Sequence, residues 1–302
     1  MKKVLFIGGP TGIGKSALAI ALAKRYNGVV VSADSMQIYQ GMDIGTGKVT
    51  EGEKAGVLHT MLSIIAPNED YSVQRYAVDA TKQIEAAWAQ KQLPIVTGGT
   101  GLYINALLHP QNFAEAAPNA AVRQKYEAIY REEGAERLHA VLESVDPVSA
   151  SKISTHDIKR TIRALEIFET TGQSKSENAK QTDADFSYLF LIPETDRALL
   201  YAAINQRVDA MLQNGFVEEV KRLRPYWNAR SMEAIGYREI IEALQSGDDP
   251  LAPKVTEKIK QNSRRYAKRQ ITFFKWIEAE KHYIKAPFLE NAVALADSWL
   301  KE

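Results

Sequence analysis

A short apolar run, Val4-Leu5-Phe6-Ile7, ends in Gly8 and opens at once into Gly9-Pro10-Thr11-Gly12-Ile13-Gly14-Lys15-Ser16. No other feature limits the fold as strongly. The eight residues fit G-x-x-x-x-G-K-[ST], and an apolar helical pattern (Ala17, Leu18, Ile20, Ala21, Leu22) follows. Glycines let the backbone curl so that successive N–H groups point inward, and the following helix adds its positive N-terminal end. Lys15 supplies a mobile cation, and the Ser16 hydroxyl is suited to ligate Mg²⁺. The bland alternative, a glycine turn joining a strand to a helix, does not call for a lysine and a hydroxyl at its end. A phosphate-binding P-loop at the head of an α/β core is therefore expected.

The pattern beyond it agrees. Val29 to Val31 reads as a second strand, Ser72 to Gln90 as a helix, and Leu93-Pro94-Ile95-Val96 as a third strand closing on Thr97-Gly98-Gly99-Thr100-Gly101. Alternating short apolar runs and helical patterns predict βαβ units around a parallel sheet flanked by helices. From about Phe113 to Asp185 strand patterns vanish and charged helical patterns replace them, punctuated by Pro118, Gly134, Pro147 and Gly172, with a polar stretch from Gln173 to Asp185. Ser187 to Ile192 is strand-like again, and long helices are expected from there to the C-terminus. The expected organisation is a first core segment at 1–112, a helical insertion domain at 113–186 and a return to the core at 187–302.

Composition narrows the function. Lys and Arg number 38 against 37 Asp and Glu, so a nucleic-acid site has to be a local patch. There is no cysteine, which removes disulfides, thiolate nucleophiles and zinc-finger ligands. Lys2 and Lys3 imitate the start of a signal peptide, but the apolar run is too short, and no stretch nears the roughly 18 apolar residues a membrane span requires. A soluble cytoplasmic protein without membrane contact is expected.

The P-loop alone does not name its cargo. Nucleotide hydrolases carry a second strand ending in a metal-binding Asp, whereas the LPIV strand ends in Thr97-Gly98-Gly99. The available acid is Asp34, after the VVV strand. Strand ends in open α/β sheets face the ligand crevice, so Asp34 and Thr100 are both expected to look toward the P-loop. Two roles fit Asp34 at this point, an acid in the crevice or a cap for its own turn.

The residues then resemble a family. Gly9 to Ser16, the segment Ser32-Ala33-Asp34-Ser35-Met36-Gln37-Ile38-Tyr39, Gly41-Met42-Asp43-Ile44-Gly45-Thr46 and Gly98-Gly99-Thr100-Gly101-Leu102-Tyr103 are similar to motifs of bacterial tRNA dimethylallyltransferases. So are Arg160-Thr161-Ile162-Arg163-Ala164-Leu165-Glu166, Ala234-Ile235-Gly236-Tyr237-Arg238-Glu239 and Arg265-Tyr266-Ala267-Lys268-Arg269-Gln270. The resemblance runs over nearly the whole chain in motif order. It implies transfer of a dimethylallyl group from dimethylallyl diphosphate to the exocyclic amine of the adenosine at tRNA position 37, beside the anticodon. It further implies that Gly9 to Ser16 hold the donor, that Mg²⁺ sits on Ser16, and that Asp34 accepts the amine's proton with Thr100 nearby. Asp34, Ser35, Met36, Gln37 and Thr100 would meet a base drawn from its stack. Five positions depart from the family pattern: Gly12-Ile13 stand for Ala-Ser, Ser16 for Thr, Gly47 for Ala and Lys159 for Gln.

Two helical segments concentrate positive charge. In Asp157 to Thr170, Ile158, Ile162 and Leu165 share a face opposite Lys159, Arg160 and Arg163, with Ser154 and Asp157 resembling a capping box and Gly172 a stop. Lys258 to Lys275 holds seven basic residues and no acid, with an apolar stripe of Ile259, Tyr266, Phe273 and Ile277. Solvated charge explains any one such face; two on a nearly neutral chain favour phosphate contact. The resemblance implies that Arg123, Lys159, Arg160, Thr161, Ile162 and Arg163 contact the anticodon stem-loop, while the later helix is left between donor and tRNA. A monomer is expected. Phe273, Phe274 and Trp276 are expected to pack in the core, as are Val122, Tyr126, Ile129 and Tyr130, and His156 is expected to neighbour a cap rather than act as a base. The alternatives are a P-loop small-molecule kinase, with Asp34 activating a hydroxyl, and an RNA-binding module that uses a nucleotide as a switch.

Overall fold

The computed structural model describes residues 2–110, 119–174 and 184–302. The expected boundary at 112–113, Pro118 and most of the polar stretch from Gln173 to Asp185 lie outside the described residues. The chain divides into two compact units, one formed by Met1–Leu108 with Asp185–Glu302 and the other by His109–Ala184.

The first unit is built on six parallel strands. They are β1 (Lys3–Gly8), β2 (Gly28–Ser32), β3 (His59–Thr60), β4 (Leu93–Gly98), β5 (Ser187–Pro193) and β6 (His282–Ile284), in the order β3-β2-β4-β1-β5-β6. Strand alternation splits the apolar residues into two layers. Val4, Phe6, Val31, Val96, Phe190 and Ile192 join one cluster, and Leu5, Ile7, Val30, Ile95, Leu189 and Leu191 the other. Both faces are buried, which is why these strands read as continuous apolar runs. Helix α1 (Lys15–Arg25) covers the second layer with Leu18, Ala19, Leu22 and Ala23, the short α2 (Glu51–Lys54) precedes β3, and α3 (Val73–Ala89) and α4 (Gly101–Leu108) cover the first layer. Ser72 starts α3 by accepting a hydrogen bond from Arg75 N.

In the second unit, α5 (Ala120–Val145), α6 (Pro147–Lys152) and α7 (Ile158–Thr171) share a core of Val122, Tyr126, Leu138, Leu142, Ala150, Ile162, Ala164 and Leu165. Tyr130 is exposed rather than packed. Gly134 leaves the helical region within α5, with φ 87° and ψ −178°. Helix α7 is capped by Asp157 alone, whose Oδ1 accepts from Arg160 N at 3.2 Å, and it stops at Gly172 in the left-handed region; Ser154 lies upstream of the cap. His156 adjoins that cap.

After β5 the first unit continues with α8 (Arg197–Gln213), α9 (Phe216–Arg222), α10 (Tyr237–Ser246), α11 (Pro253–Trp276) and, beyond β6, α12 (Phe288–Lys301). This part is mostly helical, as expected, with β6 between the helices pairing Leu191 with His282 and Ile192 with Tyr283 at the sheet edge. Helix α11 packs largely as its pattern indicated, with Ile259, Phe274 and the following Ile277 buried. It buries Val255, Ile259, Ala267, Gln270 and Phe274, leaving Phe273 37% and Trp276 80% exposed. At 100° per residue Trp276 falls nearly opposite the 267–270–274 row.

Candidate functional site

Strands β1, β2 and β4 end side by side, with Gly8 opposite Gly98 and Ser32 opposite Thr97. Their C-terminal ends feed the P-loop, the Asp34 segment and the Gly98–Gly101 turn to one edge of the sheet. The P-loop takes the curled form its glycines permit, with positive φ at Gly9, Gly12 and Gly14. Gly98 is forced by close approach, because a Cβ there would lie 2.1 Å from the Ala33 carbonyl oxygen.

At that edge a cavity of about 380 Å³ is lined by Thr11, Lys15 and Ser16 from the P-loop and by Asp34, Ser35, Met36 and Gln37 after β2. Apolar side chains, among them Ile204, Val208, Met211 and Ile235, complete the wall. Polar, cationic and apolar side chains thus share one lining. Ile13 points away from the cavity into a cluster with Leu200, Ile204 and Ala267, so only its backbone is offered to a ligand. Gly9, Pro10, Gly12 and Gly14 shape the loop behind the lining side chains.

Asp34 does both jobs considered for it. Its Oδ1 accepts from Met36 N at 2.9 Å, closing a turn, while the carboxylate also lines the cavity with Lys15. Thr100 lies one step behind. Its hydroxyl accepts from Ser35 N at 2.9 Å and donates to Ser35 Oγ at 3.2 Å, so it faces the Asp34 segment and not the P-loop. Gln37 is held by Ser32 Oγ on its oxygen and donates to Thr46 O and Gly47 O.

The electrostatics favour an anionic guest. Burial lowers the Lys15 ammonium to about 7, with Asp34 opposing the fall and Arg207 adding to it, and Lys15 Nζ donates to Pro10 O at 2.7 Å. Arg207 is likewise pushed below its ordinary value by burial, against the pull of Asp34 and Glu53. Two partly buried cations beside one carboxylate leave a net positive charge for an anion to offset. Burial and Asp34 raise the Tyr266 hydroxyl to about 12.

Arg207, Tyr266, Arg269 and Gln270 also line the cavity; the last three belong to a family-like segment that carried no site role in the sequence, and Arg207 lies in none of those segments. Arg207 had a faint signal, as a lone cation on an apolar face of α8 beside Ile204 and Val208. Its Nη2 donates to Thr46 O at 3.2 Å and fills the space that a Cβ on Gly47 would take. The Gly41–Thr46 segment is fixed from beneath by Glu219, which is 1% exposed. Its carboxylate accepts from Asp43 N, Ile44 N and Gly45 N at 3.0, 2.7 and 3.0 Å and from Tyr237 Oη at 2.6 Å.

The residues expected to contact the anticodon stem-loop, Arg123 and Lys159 to Arg163, lie in the second unit and differ in character. Lys159 and Arg160 are exposed. Arg123 and Arg163 both turn onto the buried Glu166, Arg123 in two-pronged fashion at 2.9 and 3.1 Å and Arg163 at 2.6 Å. Burial drives the Glu166 carboxyl upward, but these hydrogen bonds and one from Asn119 N outweigh it and hold it below its ordinary value. Thr161 and Ile162 are buried in this unit's core, so they anchor the segment and present no side-chain surface.

Among known proteins, the family profile described as IPP transferase matches residues 37–276, and that described as Isopentenyl transferase matches residues 2–63. The chain belongs to the IPP transferase family. A tRNA dimethylallyltransferase of Oceanobacillus iheyensis is 45% identical over 303 residues, covering 96% of each chain, and one of Carboxydothermus hydrogenoformans is 41% identical, covering 94% of each. Among solved structures, the full-length tRNA isopentenylpyrophosphate transferase of Bacillus halodurans superposes with a TM-score of 0.73 at 35% identity, covering all of this chain and 98% of that one. A eukaryotic dimethylallyltransferase acting on tRNA gives 0.83 at 27% identity, with all of this chain matched to 80% of that one. Membership makes the chain a prenyl transferase and disfavours the kinase alternative. No helix among the described residues is long and apolar enough to cross a membrane.

Proposed function

We propose that this prenyl transferase moves a dimethylallyl group from dimethylallyl diphosphate to the exocyclic amine of adenosine 37 in the anticodon stem-loop of tRNA. The observation that carries the assignment is the shared cavity: the P-loop cation, the Asp34 carboxylate and an apolar wall meet in one space. Gly9 to Ser16 bind the diphosphate, with Lys15 and the loop N–H groups offsetting the charge that grows on the leaving group. The apolar wall takes the prenyl tail. Asp34 receives the amine proton as the nitrogen–carbon bond forms and the carbon–oxygen bond to diphosphate breaks. Met36 N keeps one carboxylate oxygen occupied and so orients the other. Thr100 acts through Ser35, and Ser35, Met36 and Gln37 hold the flipped base.

Mg²⁺ fits this site. The Ser16 hydroxyl lines the cavity beside Lys15, an oxygen ligand of the kind Mg²⁺ takes. Such a ligand beside a phosphate site suits an ion that keeps its waters and binds substrate oxygens. Ser16 would hold it, and it would supply charge neutralisation for the departing diphosphate.

The helical unit, assigned as an insertion domain over 113–186, is the anticodon-arm contact. Lys159, Arg160, Arg163 and Arg123 supply charge, with Thr161 and Ile162 securing their helix. The protein works in the cytoplasm as a monomer. Incubating it with unmodified tRNA, dimethylallyl diphosphate and Mg²⁺, then digesting the tRNA for mass spectrometry, tests the assignment. One five-carbon unit on adenosine 37 is the expected product; unmodified tRNA overturns it.

A further inference from the structure

Helix α11 buries one polar side chain among its apolar ones. Gln270 is polar yet only 5% exposed. A buried primary amide is costly unless both its oxygen and its N–H groups find partners. Both do, on the backbones of two different loops. Oε1 accepts from Thr11 N at 2.9 Å, and Nε2 donates to Gly99 O at 2.8 Å. Space is reserved for this arrangement, since a Cβ on Gly99 would stand 2.2 Å from Nε2. One turn earlier on the same face, the Tyr266 side chain is hydrogen-bonded to Thr100, which in turn holds Ser35 N.

Packing alone would be served by Met or Leu at position 270. Only an amide presents an acceptor to one loop and a donor to the other. The geometry points to Gln270 as a positioning residue for the transfer: acting through Thr11 and Gly99, it sets the P-loop's conformation and its spacing from the turn that supports the acceptor-reading segment. This role rests on the proposed transfer reaction and goes beyond it, because it assigns to a helix remote in sequence the shape of the donor loop. Donor affinity, and not tRNA affinity, is the quantity Gln270 controls.

The test uses the full chain with Gln270→Met, which keeps length and packing, and Gln270→Glu, which keeps the acceptor for Thr11 N but loses the donor to Gly99 O. Inorganic pyrophosphate binding is measured by calorimetry, and KM is measured separately for dimethylallyl diphosphate and tRNA. Gln270→Met, melting near the wild-type temperature, is expected to bind pyrophosphate about tenfold more weakly, as follows from leaving a buried loop N–H unpaired. The donor KM rises by a similar factor and the tRNA KM stays within about twofold, a split that general loss of stability would not produce. Gln270→Glu weakens pyrophosphate at least as much, and it carries the comparison if the methionine variant does not fold. Unchanged pyrophosphate affinity in a folded variant, or an equal rise in both KM values, overturns the role. The pyrophosphate arm needs no transfer, so a wild-type chain that binds pyrophosphate but leaves tRNA unmodified defeats the proposed function alone.

Discussion

Replacing Glu219 by alanine removes one side chain and strands four donors. Asp43 N, Ile44 N, Gly45 N and Tyr237 Oη all direct hydrogen bonds to its carboxylate, over 2.6–3.0 Å. An unpaired buried donor costs about 1–3 kcal/mol. Water can reach some of the four once the carboxylate is gone, so the low end of that range applied to each gives about 4 kcal/mol as the expected loss. At roughly 2–4 °C per kcal/mol for a chain of this size class, the melting temperature falls by about 8 °C or more. The loss extends to function, because the segment held by Glu219 continues into Gly45, Thr46 and Gly47 of the cavity wall. Gln at this position is expected to be intermediate: its oxygen still accepts, but its N–H₂ confronts a donor. Differential scanning calorimetry on the wild type, Glu219→Ala and Glu219→Gln measures the shift, and pyrophosphate titration on the same samples measures the site. A fall below about 2 °C for the alanine variant, with unchanged pyrophosphate affinity, would refute the claim that this carboxylate holds the loop.

With the Lys15 ammonium lowered to about 7 in the free protein, a bound diphosphate restores its proton; calorimetry in buffers of different ionisation heat should therefore show uptake approaching one proton per donor between about pH 8 and 9, absent in Lys15→Met. Donor affinity accordingly weakens as pH climbs above 7. Because Arg163 neutralises Glu166, a clean test of the tRNA patch replaces the exposed pair Lys159 and Arg160 with alanine; the slope of log affinity against log salt should fall by about two contacts' worth, and an unchanged slope would move the footprint elsewhere. Gly98→Ala drives a methyl into the Ala33 carbonyl and should cost about 1–3 kcal/mol of stability while displacing Asp34; turnover close to wild type would show that the strand ends tolerate the shift.

Much of the core was legible in the sequence because its strands are buried on both faces and therefore stand out as apolar runs bounded by glycine. The P-loop and the Asp34 segment were legible because each is continuous in the chain. What escaped were elements defined by partners far away. Strands β3 and β6 are two and three residues long at the sheet edges, too short to show a period. Along α11 the burial of Gln270 and the exposure of Trp276 run against hydrophobicity, which ranks the two the other way. Arg207 reaches the cavity from α8 and contacts Thr46 across 161 positions of sequence, a proximity no local pattern encodes. Thr100 belongs to a recognisable glycine-rich turn, yet its orientation toward Ser35 follows from hydrogen bonds that only the folded chain sets.

The central claim is that Asp34 takes the proton from the acceptor amine while the P-loop holds the leaving diphosphate. Single-turnover transfer by Asp34→Ala, with tRNA affinity measured on the same preparation, tests it most directly. The expected result is a rate reduced by about 10²–10⁴-fold, the usual contribution of a positioned general base, with tRNA affinity within about threefold of wild type. Transfer at the wild-type rate, with tRNA bound normally, would contradict it.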